Sequence, residues 1–142
     1  MPSSDAIPLY FLMAFVVAIP VWALLSGGKA AKAAAVVFFC ATIASKLVEL
    51  NLPARQSGTI FLFIDGLMAL FLLAIALVYS YLWISLMMLS VSFVFCIHAY
   101  YQINSIALDP SFALVSNIAT AVLLVSLAIG VWTSRRRTAE HA

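Results

Sequence analysis

Residues 59–101 read TIFLFIDGLMALFLLAIALVYSYLWISLMMLSVSFVFCIHAYY, two apolar runs separated only by Ser80 and Tyr81. Each run has about 20 residues, the length at which a helix crosses the roughly 30 Å hydrocarbon core of a bilayer. Because two residues are too few to lead the chain back through the membrane, the runs are predicted to form an antiparallel helical hairpin.

Three more apolar runs accompany this hairpin, and together they occupy most of the 142 residues. Hydrophobic residues make up 66% of the chain and charged residues 8%, whereas soluble domains have about 25% charged residues. The sequence predicts an all-α polytopic membrane protein, a single bundle over residues 1–142 with short loops and a basic tail at 133–142. The predicted spans are Ile7–Leu25, Ala33–Leu50, Thr59–Tyr79, Leu82–Tyr101 and Phe112–Trp132.

Basic residues predict how the bundle is oriented, because Lys and Arg are concentrated in cytoplasmic loops. Lys29 and Lys32 follow the first run and residues 135–137, all Arg, follow the fifth, which places both groups on one face. We therefore expect the N-terminus outside and the C-terminus in the cytoplasm of a bacterial inner membrane. Three tryptophans, typical of membrane interfaces, lie at the same predicted ends of their runs: Trp22, Trp83 and Trp132.

Five polar residues stand out within the spans, because ionisable groups at membrane depth are costly and indicate function by default. They are Lys46, Glu49, Asp65, His98 and Asn117. With the predicted topology, all five lie in the outer third of the bundle. This placement predicts a polar pocket there.

The spacing of these residues groups them further, since positions three and four apart share one helix face. A polar stripe on the second span contains Thr42, Ser45, Lys46 and Glu49. A similar stripe on the fourth span contains His98, Tyr101, Gln102 and Ser105. Lys46 and Asp65 flank the same short loop at similar depth, so they are predicted to form an ion pair.

Three interpretations of the cluster remain open. In the structural one, Lys46 pairs with Asp65 or Glu49, while His98 and Asn117 form hydrogen bonds between helices. In the second, the cluster forms a water-filled pocket open to the extracytoplasmic side, which binds a small ligand, a proton or an ion. In the third, Glu49, Asp65 and His98 bind a metal, although no metal-ligand spacing supports that set.

The chain contains no catalytic motif and no phosphate-binding glycine loop, so neither a cofactor nor an enzymatic activity is expected. The net charge of +2 is too small to indicate a nucleic-acid partner. Apart from the lipid bilayer, the expected partner is a membrane protein or a second copy of the chain. Small residues that favour close helix packing or a partner face recur on the fifth span: Ser116, Thr120, Ser126 and Gly130.

The leading interpretation is a small non-enzymatic membrane protein that acts as an accessory, assembly or interaction subunit. The alternative is a small carrier or sensor that uses the outer polar pocket. A membrane enzyme ranks third, because no motif supports it.

The predicted orientation can be tested with fusions to a reporter that is active only outside the cytoplasm. A fusion at Ala142 should be silent, whereas an insertion between Asn51 and Gly58 should be active. The reverse pattern would contradict the predicted orientation.

Overall fold

The computed structural model describes residues 6–52, 54–106 and 109–140, and side chains for 13–52, 57–106 and 109–136. The described residues form five helices and no strand. The all-α bundle is therefore confirmed. The helices are α1 (Ala6–Ser26), α2 (Lys29–Asn51), α3 (Ala54–Tyr79), α4 (Leu82–Ile103) and α5 (Pro110–Glu140).

Helices α2 to α5 have both the length and the apolar composition to cross a membrane. The corresponding apolar part of α1 among the described side chains, Met13–Ser26, is shorter. Helix α5 has 31 residues and is about 46 Å long at 1.5 Å per residue. Helix α5 therefore includes most of the segment 133–142 that the sequence predicts as a basic tail. A helix can continue beyond the lipid where its side chains are basic.

Consecutive helices pack against each other around a ring, and α1 closes the ring by packing against both α2 and α5. Short connections make neighbouring helices antiparallel. The end with the connections at 52–53 and 104–109 is called the outer end, after the predicted topology. The end with the connections at 27–28 and 80–81 is called the inner end.

The α3–α4 connection is the tight turn expected from its two residues. Ser80 adopts a left-handed conformation, with φ of 51°, and its N–H donates to the Ala76 carbonyl at 2.8 Å. A left-handed residue after the last turn is a common way to end a helix, because it satisfies a carbonyl that would otherwise lack a partner. Leu82 then begins α4 directly.

The inner half of the bundle contains nearly all of the described core. Small residues of α1 and α2 are buried there and bring these helices close to their neighbours. They are Ala23, Ala30, Ala31, Ala34 and Ala35. Larger side chains from α3, α4 and α5 fill the remaining space, and the fully buried ones are Leu72, Ile84, Met87, Leu127 and Val131.

The contact between Gly130 and Trp83 fixes the distance between α5 and α4. A Cβ atom added at Gly130 would lie 2.6 Å from the Trp83 ring. Trp83 is only 7% exposed, so packing explains its position and it is not evidence for the membrane interface. Trp132 is 57% exposed with the Arg136 guanidinium 4.4 Å from its ring centre, which is the arrangement expected at an interface.

Gly130→Ala should destabilise the bundle by about 1–3 kcal/mol relative to Gly58→Ala, because the added methyl group overpacks against a buried ring. Gly58 is the matched control, since its added Cβ would meet the end of the flexible Gln102 side chain. Both changes gain the same helix propensity. Unfolding midpoints in detergent measure the difference, and equal midpoints would contradict the packing analysis.

Candidate functional site

A cavity of about 270 Å³ lies among the five helices in the outer half of the bundle. We call it the outer cavity. Its wall carries polar side chains from α2, α3, α4 and α5, which are Thr42, Ser45, Lys46, Asp65, Ser90, Ser116, Asn117 and Thr120. Three of the five predicted pocket residues, Lys46, Asp65 and Asn117, therefore lie on one cavity.

The deep side of the outer cavity is apolar and merges with the packed core. It is formed by Phe38, Met68, Val91 and Leu123, each of which is less than 9% exposed. Asn117 and Leu123 lie on α5 about 10 and 20 Å from its first residue at 1.5 Å per residue. We call the polar part of the lining, which lies nearer the outer end, the mouth, and the apolar part near the middle of the bundle the floor.

The hydroxyl and amide groups on the wall differ in how far the protein satisfies them. Thr42, Ser90 and Thr120 donate to carbonyls four residues earlier on their own helices, each at 2.9 Å. This local bond occupies a hydroxyl without help from another helix. The side chains of Ser45 and Asn117 form no hydrogen bond with another described residue, so they are available to a molecule in the cavity.

Asp65 and His98 form the central polar contact of the site. His98 Nδ1 lies 3.1 Å from Asp65 Oδ2, which joins α3 to α4 on the outer side of their hairpin. The His98 side chain is 4% exposed, whereas that of Asp65 is 26% exposed and lines the outer cavity. An imidazole with its proton on Nδ1 donates this hydrogen bond to the carboxylate, which can only accept.

The surroundings of His98 are aromatic rather than polar. The Phe112 ring centre is 5.2 Å from that of His98 and the Phe61 ring centre is 6.4 Å away. The buried Nε2 atom has no hydrogen-bond partner among the described residues. His98 thus contacts Asp65 from a buried position, while Asp65 lines the cavity.

The start of α5 holds Phe112 against His98. The Phe112 N–H donates to Asp109 Oδ1 at 2.8 Å, so Asp109 caps the helix. This hydrogen bond lowers the pKa of the exposed Asp109 carboxyl below its usual value. The Tyr101 hydroxyl donates to the same oxygen at 3.0 Å, which ties the α4 end to the α5 cap.

The predicted ion pair between Lys46 and Asp65 is wrong, whereas the alternative pair with Glu49 and the hydrogen bond of His98 to another helix are confirmed. Lys46 Nζ instead lies 2.5 Å from Glu49 Oε2, one turn along α2, and Asp65 contacts His98. Glu49 lies on the same helix within reach of the flexible lysine, whereas Asp65 is already bonded to His98. Glu49 does not line the outer cavity; it neutralises Lys46 at the mouth.

The metal interpretation does not fit the described residues, since no three His, Cys, Asp or Glu side chains among them come together. Glu49 is engaged by Lys46, which separates it from the pair formed by Asp65 and His98. The remaining two groups are fewer than the ligands of a typical protein metal site.

The small residues of α5 face the interior of the bundle. Ser116 and Thr120 line the outer cavity, whereas Ser126 is 3% exposed and Gly130 packs against Trp83. Ser126 donates to the Val122 carbonyl at 2.8 Å. These four residues therefore serve packing and the cavity wall, and the surface of the bundle does not present them to a partner.

The aromatic rings beside His98 and the apolar floor of the cavity were not predicted from the sequence. The sequence Asp109-Pro110-Ser111-Phe112 could have indicated the position of Phe112, because a capping residue before a proline fixes the start of α5. For Phe38, Met68 and Leu123 there was no signal, because an apolar side chain in a membrane helix has no pattern that separates floor from lipid surface.

The chain was also compared with known proteins. No protein-family model, curated protein or solved structure matches it. The outer cavity and the Asp65–His98 contact therefore carry the functional argument.

Asp65→Ala and His98→Ala should be coupled in a double-mutant cycle, because each single change leaves a polar group of the other residue without its partner. We expect a coupling of about 0.6–1.7 kcal/mol, as found by such cycles for hydrogen bonds between membrane helices. The control cycle pairs Lys46→Ala with Asp65→Ala and should show a coupling below about 0.5 kcal/mol. Additive losses for Asp65 and His98, measured by unfolding in detergent, would contradict the contact.

Proposed function

We propose that this protein binds a small polar molecule in the outer cavity, as a carrier or sensor that receives it from the predicted extracytoplasmic side. The observation that carries the proposal is Asp65, a carboxylate that faces the cavity and is held from behind by the buried His98. Keeping such a group at membrane depth is costly, and proteins do so mainly where it contacts a ligand, an ion or a partner group.

The dimensions of the site support a small ligand. Pockets for drug-sized molecules have volumes of about 300–1,000 Å³, and the outer cavity, at about 270 Å³, lies just below this range. Free polar groups at Ser45 and Asn117 can orient a bound molecule, while the apolar floor receives its hydrocarbon part. Convergent polar groups above apolar walls are typical of small-molecule sites.

The accessory-subunit hypothesis requires a surface that binds a partner. The candidate surface, the small residues of α5, faces the interior and supports packing within one chain. The exposed surface is rich in large apolar side chains such as Phe63, Leu70 and Leu77, as expected for contact with lipid. The pocket therefore supports ligand binding better than any surface feature supports assembly.

Thiol labelling from the outer side tests whether the cavity is accessible. The background is Cys40→Ala with Cys96→Ala, since both native cysteines are free. Ser45→Cys places a thiol on the cavity wall, and Ile43→Cys places one on the exposed α2 surface at nearly the same depth. Thiolates react and thiols in lipid do not, so a membrane-impermeant methanethiosulfonate should modify the first variant much faster than the second.

The labelling experiment has clear opposing outcomes. If neither thiol reacts in intact vesicles, the cavity is dry from that side and the proposed function fails. If both react equally, the surface around Ile43 is not covered by lipid. Filling the cavity with Thr120→Met in the Ser45→Cys variant should slow the reaction, since Thr120 lines the same cavity from α5.

A further inference from the structure

We infer that the outer cavity selects a small organic ammonium ion, with its positive charge on Asp65 and its hydrocarbon part on the apolar floor. The inference rests on the proposed function and names the ligand class for the same cavity. It follows from how the charges around the site are distributed.

The charged side chains that line the outer cavity are Lys46 and Asp65, within the part of the chain whose side chains are described. Lys46 forms an ion pair with Glu49 at 2.5 Å, and both side chains are more than half exposed. The pair is therefore neutral as a unit and sits at the hydrated mouth. Asp65 lies deeper and has no basic side chain of Lys or Arg within ion-pair distance among the described residues.

His98 contacts Asp65 through one hydrogen bond. Its Nδ1–H donates to the carboxylate at 3.1 Å, and this single bond needs only the neutral imidazole. A second proton would put an N–H on the buried Nε2, which has no partner among the described residues. The described site therefore offers an acceptor for one imidazole N–H, the Asp65 carboxylate, and none for a second.

The single carboxylate and the apolar floor of the outer cavity favour an organic ammonium ion over a metal ion. Asp65 provides one carboxylate, whereas hard metal ions take about six or more oxygen ligands. The floor residues Phe38, Met68 and Leu123 offer carbon surface, which an alkyl group can cover and a hydrated metal ion cannot. Ammonium N–H groups donate strongly to a carboxylate, and the Asn117 side-chain oxygen can accept another.

The test uses three probes of nearly equal size, which are n-propylammonium, n-propanol and propionate. Each is titrated into the purified full-length protein in mild detergent while the unfolding temperature is followed, because a ligand that binds the folded state raises it. We expect saturable stabilisation by n-propylammonium, at concentrations at least about tenfold lower than for n-propanol. Propionate should have no effect.

Variants then locate the charge that selects the probe. Asp65→Asn should weaken n-propylammonium binding at least about tenfold, since an amide cannot form the charged pair. The matched control is Asp5→Asn, the same chemical change in the segment that precedes α1. It should leave binding within about twofold of the original value.

A second variant covers the case in which Asp65→Asn does not accumulate. Glu49→Gln leaves the Lys46 charge unpaired at the cavity mouth without changing any lining residue, so it should weaken n-propylammonium binding several-fold. The charge selectivity of the unmodified protein is itself a test that needs no variant.

Each result decides between the two proposals. Equal stabilisation by n-propanol and n-propylammonium, or preferential binding of propionate, would overturn the ammonium inference and leave the proposed pocket intact. No stabilisation by any probe, together with rapid labelling of Ser45→Cys, would also overturn the inference alone. If the thiol of Ser45→Cys is not labelled, both the ammonium inference and the proposed function are contradicted.

Discussion

Close packing of the inner half is the constraint on which the rest of this structure depends. Buried alanines on α2 let it approach α1 and α5, and Gly130 lets α5 lie directly against the Trp83 ring. In lipid, such contacts stabilise a bundle because small residues allow close van der Waals packing between helices. Since the inner ends are held together this tightly, the helices can separate at the outer end without the bundle coming apart.

The open outer half allows polar groups to be kept at membrane depth. Asp65 is joined to His98, and the rings of Phe112 and Phe61 lie beside the imidazole, with ring centres 5.2 and 6.4 Å away. The opposite side of the carboxylate is left to the cavity. An arrangement in which a buried group fixes an accessible one is well suited to binding, because the carboxylate keeps its orientation when a ligand enters.

The floor of the outer cavity limits how such binding could be used. Phe38, Met68, Val91 and Leu123 close the cavity below, and the packed inner half extends beneath them. In the described conformation, packed side chains separate the cavity from the inner end of the bundle. A carrier would have to separate the inner helix ends, and so break the contact between Gly130 and Trp83, whereas a sensor could respond by a change near the mouth.

The sequence by itself determined the helical class, the α3–α4 hairpin and the group of residues that come near the cavity. Apolar runs of membrane length allow few structures, because every backbone polar group must be bonded within the segment. Lys46, Asp65 and Asn117 could be placed on one side of the bundle because helix periodicity and rise set their face and depth.

Only the tertiary structure decided which groups pair and which remain free. Lys46 had acidic candidates at Glu49 and Asp65, and spacing along a helix could not show that His98 already occupies one side of Asp65. The apolar floor and the Gly130–Trp83 contact were equally invisible, because lipid and protein interior are both apolar and a membrane helix carries no hydrophobic pattern that separates its two faces. Pairing and packing depend on how helices rotate about their own axes, and that rotation is set by contacts between helices.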